Sequence, residues 1–219
     1  MSELICDNYG FLQVMSRFGI SLGFGDRTVS EVCKMYNVDC DTFLALVNFL
    51  GDEDYSVNVK KISINSLMAY LRYAHHYFLS FQLPSIRQKL LVFLDSPEKK
   101  EFYSLVMNFY DAYLEEVRNH MNYEDEHVFP YVENLLSHQK TPAFNFMKFA
   151  HSHDRVDTKL TELKDIIIKY LPTKGEHYHT NALLFEIFAC IADLDTHSRI
   201  EDCIFIPAVV ELQKKKEEE

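Results

Sequence analysis

Glycine and proline are scarce, with six of each in 219 residues. That leaves too little turn chemistry for an all-β sandwich or barrel and points to helices. The five cysteines (Cys6, Cys33, Cys40, Cys190 and Cys203) include no Cys-x-x-Cys pair and are odd in number, which argues against a disulfide framework. No long apolar run is free of charge. The richest, 183–194, is interrupted by Glu186 and Asp193, so no membrane span is expected. The opening Met1-Ser2-Glu3-Leu4-Ile5 lacks the basic and apolar regions of a secretory signal. Basic residues are outnumbered, 22 Lys plus Arg against 33 Asp plus Glu for a net charge of −11, and an acidic surface repels the phosphate backbone of nucleic acid. With 47% hydrophobic and 25% charged residues the composition is that of an ordered globular chain. These absences together predict a cytoplasmic helical protein with neither nucleic acid nor membrane as a partner.

What is present is helical periodicity. An acidic turn, Gly51-Asp52-Glu53-Asp54, follows the apolar run 43–50 and marks the boundary of a small helical N-terminal module, residues 1–54, with room for three helices. Within it Thr28 and Glu31 have the spacing of a capping box. Beyond it, over 58–213, apolar residues recur at helical spacing in four blocks, 62–93, 97–136, 143–171 and 177–212, joined by short connectors. Four long helices with short connections predict an all-α, up-down-up-down four-helix bundle. Pro84, Pro130 and Pro207 fall inside these blocks and predict kinks or ends, because an interior proline costs about 3 kcal/mol. Residues 214–219 read as a solvated charged tail.

The chain also repeats itself. His120-Met-Asn-Tyr-Glu124-Asp125 and a proline at 130 return as His197-Ser-Arg-Ile-Glu201-Asp202 and a proline at 207, both His-x3-Glu-Asp-x4-Pro, displaced by 77 residues. His76 and His153 are separated by the same 77 residues. A His and a Glu at i and i+4 share one helix face. Two such pairs, with His76 and His153 from the other two helices, bring four imidazoles and two carboxylates to the bundle centre. That donor set suits iron or manganese, and inward Glu and His in a bundle can hold a metal pair. Two divalent ions carry +4 against −2 from Glu124 and Glu201, so an oxide or hydroxide bridge completes the balance. Without metal, such a core would cost several kcal/mol in desolvation.

The His-x3-Glu motifs, and His75-His76-Tyr-Phe-Leu-Ser-Phe-Gln-Leu-Pro84, resemble hemerythrin-like di-iron proteins, in particular the iron-sulfur cluster repair (repair of iron centres) family. In that family's His-His-x-Tyr-Leu-Arg-x-Glu-Leu-Pro segment the second His is the ligand, which favours His76 over His75. The resemblance covers nearly the whole chain and implies the ligand set His76, His120, Glu124, His153, His197 and Glu201, with both glutamates bridging two iron ions. It also implies protection or repair of iron-sulfur clusters under oxidative or nitrosative stress, with damaged iron-sulfur proteins as partners. An open metal position would take O₂ or NO. A sensor or carrier of O₂ or NO, or a nitric oxide reductase, would need the same ligands, and whether the protein is an enzyme stays open.

Two departures from the family stand out. Its N-terminal Cys-Cys-Gly-Gly turn is absent, Gly23-Phe24-Gly25-Asp26 standing there instead. The carboxylate that often precedes the third-helix His is replaced by Ser152, while Asp157 lies four residues beyond His153 and is a candidate to line or ligate the site. Glu116 and Tyr123 are further candidates to line it. His127, His138, His151, His177 and His179 lie outside the repeat and fit surface or capping roles. Residues 28–38 and 41–48 have helix-turn-helix spacing, but the second helix offers Asp39, Asp41 and Asn48 and no base, so a docking or packing module fits better than a DNA reader.

Overall fold

The computed structural model describes residues 1–52, 54–94, 100–139, 144–151, 158–170 and 177–218. Among these residues the regular structure is helical throughout, with no strand, so the fold is all-α. Four short helices come first rather than three: α1 (Ser2–Asp7), α2 (Phe11–Arg17), α3 (Val29–Met35) and α4 (Cys40–Gly51). The capping box at the start of α3 is formed, with the Thr28 N–H donating to Glu31 at 2.8 Å and the Glu31 N–H donating back to the Thr28 hydroxyl at 3.3 Å. After a 3₁₀ turn (Val59–Lys61) come α5 (Ile64–Tyr77), α6 (Leu83–Leu94), α7 (Lys100–Tyr123), α8 (Phe129–Leu136), α9 (Phe146–His151), α10 (Thr158–Tyr170), α11 (His177–Ile200) and α12 (Ile206–Glu218). Residues 214–218 are helical, continuing α12.

The expected kinks at proline take one specific form. Three π-turns, Phe78–Gln82, Glu124–Val128 and Glu201–Phe205, join α5 to α6, α7 to α8 and α11 to α12 without a break. Each begins six residues before a proline (Pro84, Pro130, Pro207). In an α-helix a proline leaves the carbonyl four residues back without its donor and its ring collides with that carbonyl. A π-turn inserts one extra residue, so the ring and the carbonyls fall out of register and the helix can run on.

By packing, the described chain divides into two compact units: 1–74 with 129–144 and 199–219, and 75–128 with 145–198. In the first, α2 and α4 close over the start of α5. Phe18 lies 5.6 Å from Phe43 and 5.2 Å from Tyr70, and the buried Arg17 guanidinium donates to the Tyr70 hydroxyl at 3.3 Å. The Ser63 N–H donates to the Thr42 hydroxyl at 2.9 Å, and Arg199 sits over the Phe49 ring at 5.2 Å. Phe129 meets Phe205 edge-on at 5.5 Å. The second unit is a helical bundle in which α7 packs against both α6 and α10. Its core comprises Phe78, Leu83, Ile86, Val106, Tyr110, Val117, Leu160, Leu163, Leu183 and Ile187, all but fully buried. Each such aliphatic side chain contributes roughly 1.5–3 kcal/mol by leaving water. The Tyr110 hydroxyl donates to the Leu83 carbonyl at 2.7 Å, and Arg87 grips Asp111 through two bonds of 2.7 and 3.0 Å.

Candidate metal centre

The buried stripe of α11 recurs at residues 183, 187, 190 and 194, then continues through His197, Glu201 and Ile204 in the same alternation of three and four. Two polar residues thus occupy positions that the helix otherwise gives to apolar ones. On α7 the stripe through Val106, Tyr110, Tyr113 and Val117 leads to His120 and Glu124 in the same way, and on α5 the stripe Leu67, Leu71, Ala74 leads to His75 and Phe78. The result is a group of four buried donors, His75, Glu124, His197 and Glu201, each at most 2% exposed, whose ligand atoms lie within 4.8 Å of one another.

The geometry is closest around His75 and Glu124. The His75 Nε2 is 3.3 Å from Glu124 Oε2 and 3.2 Å from His197 Nε2. The other carboxylate oxygen, Glu124 Oε1, is 3.6 Å from His120 Nε2, one turn back on α7. Glu124 therefore shows one oxygen to each of two histidines, the disposition a carboxylate needs to bridge two cations. Glu201 follows His197 by one turn on the same continuous helix. Aromatic rings confine the imidazoles: His75 and His197 meet edge-on at 5.0 Å, and Phe78 meets His197 edge-on at 5.7 Å. In the same unit burial pushes the Cys190 thiol and the Tyr110 phenol up, so both stay protonated at neutral pH and neither offers an anionic ligand.

The residues fit a metal. Two carboxylates buried to this degree cost several kcal/mol each unless a cation meets them, and imidazole with carboxylate is the donor set of iron and manganese rather than of calcium or magnesium.

One expected ligand, His76, lies outside the buried cluster. His76 is exposed and faces Ser80 on its own helix, its Nδ1 3.2 Å from the hydroxyl, whereas His75 lies in the cluster. Adjacent residues on a helix diverge by about 100°, and only position 75 falls on the stripe of Leu67, Leu71 and Phe78; that periodicity is the signal that identifies it. The 77-residue spacing and the family segment point to His76 instead. Glu116 is exposed and ion-paired with Lys159 rather than lining the cluster. Tyr123 is exposed, with its ring edge-on to His127 at 5.0 Å and 6.4 Å from Phe149. His153 and Asp157 lie outside the described residues. Asp125, which neighbours Glu124, contacts the far side of His75, its Oδ1 3.0 Å from Nδ1.

Comparison with known proteins agrees with this chemistry. Over 178 residues the chain is 21% identical to the "Iron-sulfur cluster repair protein ScdA" of Staphylococcus haemolyticus (strain JCSC1435), covering 78% of this chain and 80% of that protein. No solved structure matches the chain. Residues 69–209 match the family model described as the hemerythrin HHE cation binding domain, a span that contains every residue of the buried cluster. The chain belongs to the hemerythrin HHE cation-binding family.

Proposed function

We propose that the protein holds two iron ions and protects or repairs iron-sulfur clusters under oxidative or nitrosative stress. His75, His197, Glu124 and Glu201 would hold one ion. His120, with His153 carried over from the sequence repeat, would hold the second, and both glutamates would be shared. The observation that carries this reading is the Glu124 carboxylate, which turns one oxygen to His75 and the other to His120. The relative named for iron-sulfur cluster repair supports the same assignment. When bound, a ferrous pair with a vacant position supplies a site for O₂ or NO and a source of electrons. The protein's part is to fix the donors on three continuous helices and to keep bulk water from the two carboxylates. Damaged iron-sulfur proteins are then the macromolecular partners, and the cytoplasm is where such repair would act.

The N-terminal helices serve this reading as a docking or packing element. Thr42, Phe43, Ala45, Leu46 and Val47 of α4 are buried, and the residues it leaves exposed include Asp41, Leu44 and Asn48 but no base, which supports the expectation that no nucleic acid is bound. Iron content, optical spectra and the response to NO test the metal centre: two irons per chain with oxo-bridge absorption are expected, and at most one tightly bound metal would refute it. Mixing the iron-loaded protein with an iron-sulfur protein bleached by peroxide or NO tests the repair step. Recovery of cluster absorbance is expected. A spectral response to NO without recovery would make the protein a sensor or carrier, and steady consumption of NO would make it a reductase.

A further inference from the structure

We propose that Asp125 is a positioning residue that locks the His75 ring with its Nε2 toward the metal centre, an inference that rests on the reading of His75, Glu124, His197 and Glu201 as ligands. The two nitrogens of His75 meet different surroundings. Nδ1 is 3.0 Å from Asp125 Oδ1, while Nε2 is 3.2 Å from His197 Nε2 and 3.3 Å from Glu124 Oε2. A neutral imidazole carries one proton, and an ionised carboxylate can only accept. Asp125 is partly exposed, its side chain at 34%, whereas the His75 ring it holds is 1% exposed. With its proton on Nδ1, toward Asp125, the ring turns the lone pair of Nε2 to the cluster. A metal-binding imidazole needs that tautomer, and a carboxylate on the far nitrogen is a common way to impose it.

Glu124 and Asp125 thus divide the work at the first two residues of the π-turn: one side chain supplies a ligand oxygen, and its neighbour aims another helix's ligand. Asp125 acts through a histidine and not on the metal.

The test uses the full chain with Asp125→Ala and Asp125→Asn, both with folding checked by circular dichroism. Asp125 is partly exposed, so truncating it opens no sealed cavity. Two readouts are taken: the affinity for iron(II) added alone, against a competing chelator, and the ¹⁵N shifts of His75 in the metal-free protein, which report its tautomer. Asp125→Ala is expected to lose about 10–100-fold in affinity and the fixed Nδ1–H tautomer. Asp125→Asn, whose amide oxygen can still accept, should keep the tautomer and most of the affinity. Affinity within twofold of the parent and an unchanged tautomer in folded Asp125→Ala would overturn the proposal. So would equal losses in the two variants, which would point to charge and not to orientation. A parent chain that binds no iron would instead refute the metal-centre reading itself, and the positioning role with it.

Discussion

Two adjacent histidines offer the sharpest test of the site. In metal-free protein, His75→Ala removes a ring that is 1% exposed and touches Glu124, Asp125 and His197. Polar groups left buried without such a partner cost about 1–3 kcal/mol. For a chain of this size about 2–4 °C of melting temperature corresponds to each kcal/mol, so the expected fall is roughly 2–12 °C. His76→Ala touches an exposed ring whose described contact is Ser80, and should stay within about 0.5 kcal/mol, or roughly 2 °C. The metal readout should separate the pair further. Losing a group that merely orients a ligand costs 10–100-fold in affinity, so losing the ligand itself should cost at least that. Thermal melts in chelator and iron(II) titrations against a competing chelator measure both effects. If His76→Ala lost the metal while His75→Ala kept it, the ligand would revert to the residue marked by the 77-residue spacing, and the buried-stripe argument would be wrong.

Three further outcomes follow from the same geometry. Glu124→Ala and Glu201→Ala should each release metal more completely than Asp202→Ala, as counted by iron per chain after desalting, because the glutamates are the buried carboxylates of the cluster and Asp202 is exposed; equal loss in all three would remove the distinction. Alkylation at mildly basic pH should label Cys6 and Cys203, which are exposed, well before Cys33 and Cys190. Burial pushes the Cys33 thiol up to about 12 and raises Cys190 as well, so mass spectrometry should find these two modified only on unfolding. Thr28→Ala removes the side-chain half of the box that starts α3 and should cost about 1 kcal/mol in urea unfolding with no change in metal content.

How much of this was legible in the sequence depends on what each signal encodes. The capping box was readable because it is a local exchange of hydrogen bonds between residues three apart. The helices and the His-x3-Glu pairs were readable because one turn of helix fixes which side chains share a face. The prolines marked where the helices are interrupted, but the π-turn form was not legible, since it is a matter of backbone hydrogen bonding that residue types alone do not announce. His76 was favoured because spacing between repeats counts residues along the chain, whereas burial on α5 counts angle around the helix, and one residue is enough to separate them. The role of Asp125 was not legible, because its partner belongs to another helix, 50 residues away in sequence, and only tertiary packing supplies it.

The anchoring of Tyr70 bears on how this protein can be cut. The recognised family domain begins at residue 69, yet Tyr70 is buried and takes its neighbours from residues before that point: the Phe18 ring at 5.2 Å and the Arg17 guanidinium at 5.6 Å above it. Arg199, inside the domain, likewise covers Phe49, outside it. The first residues of the recognised domain therefore depend for their packing on chain that precedes it. A fragment starting at residue 69 would bare an aromatic surface and be prone to aggregate. A protease that nicks the chain at exposed Gly51 or Asp52, by contrast, would leave two pieces still held together by these contacts, separable only on denaturation.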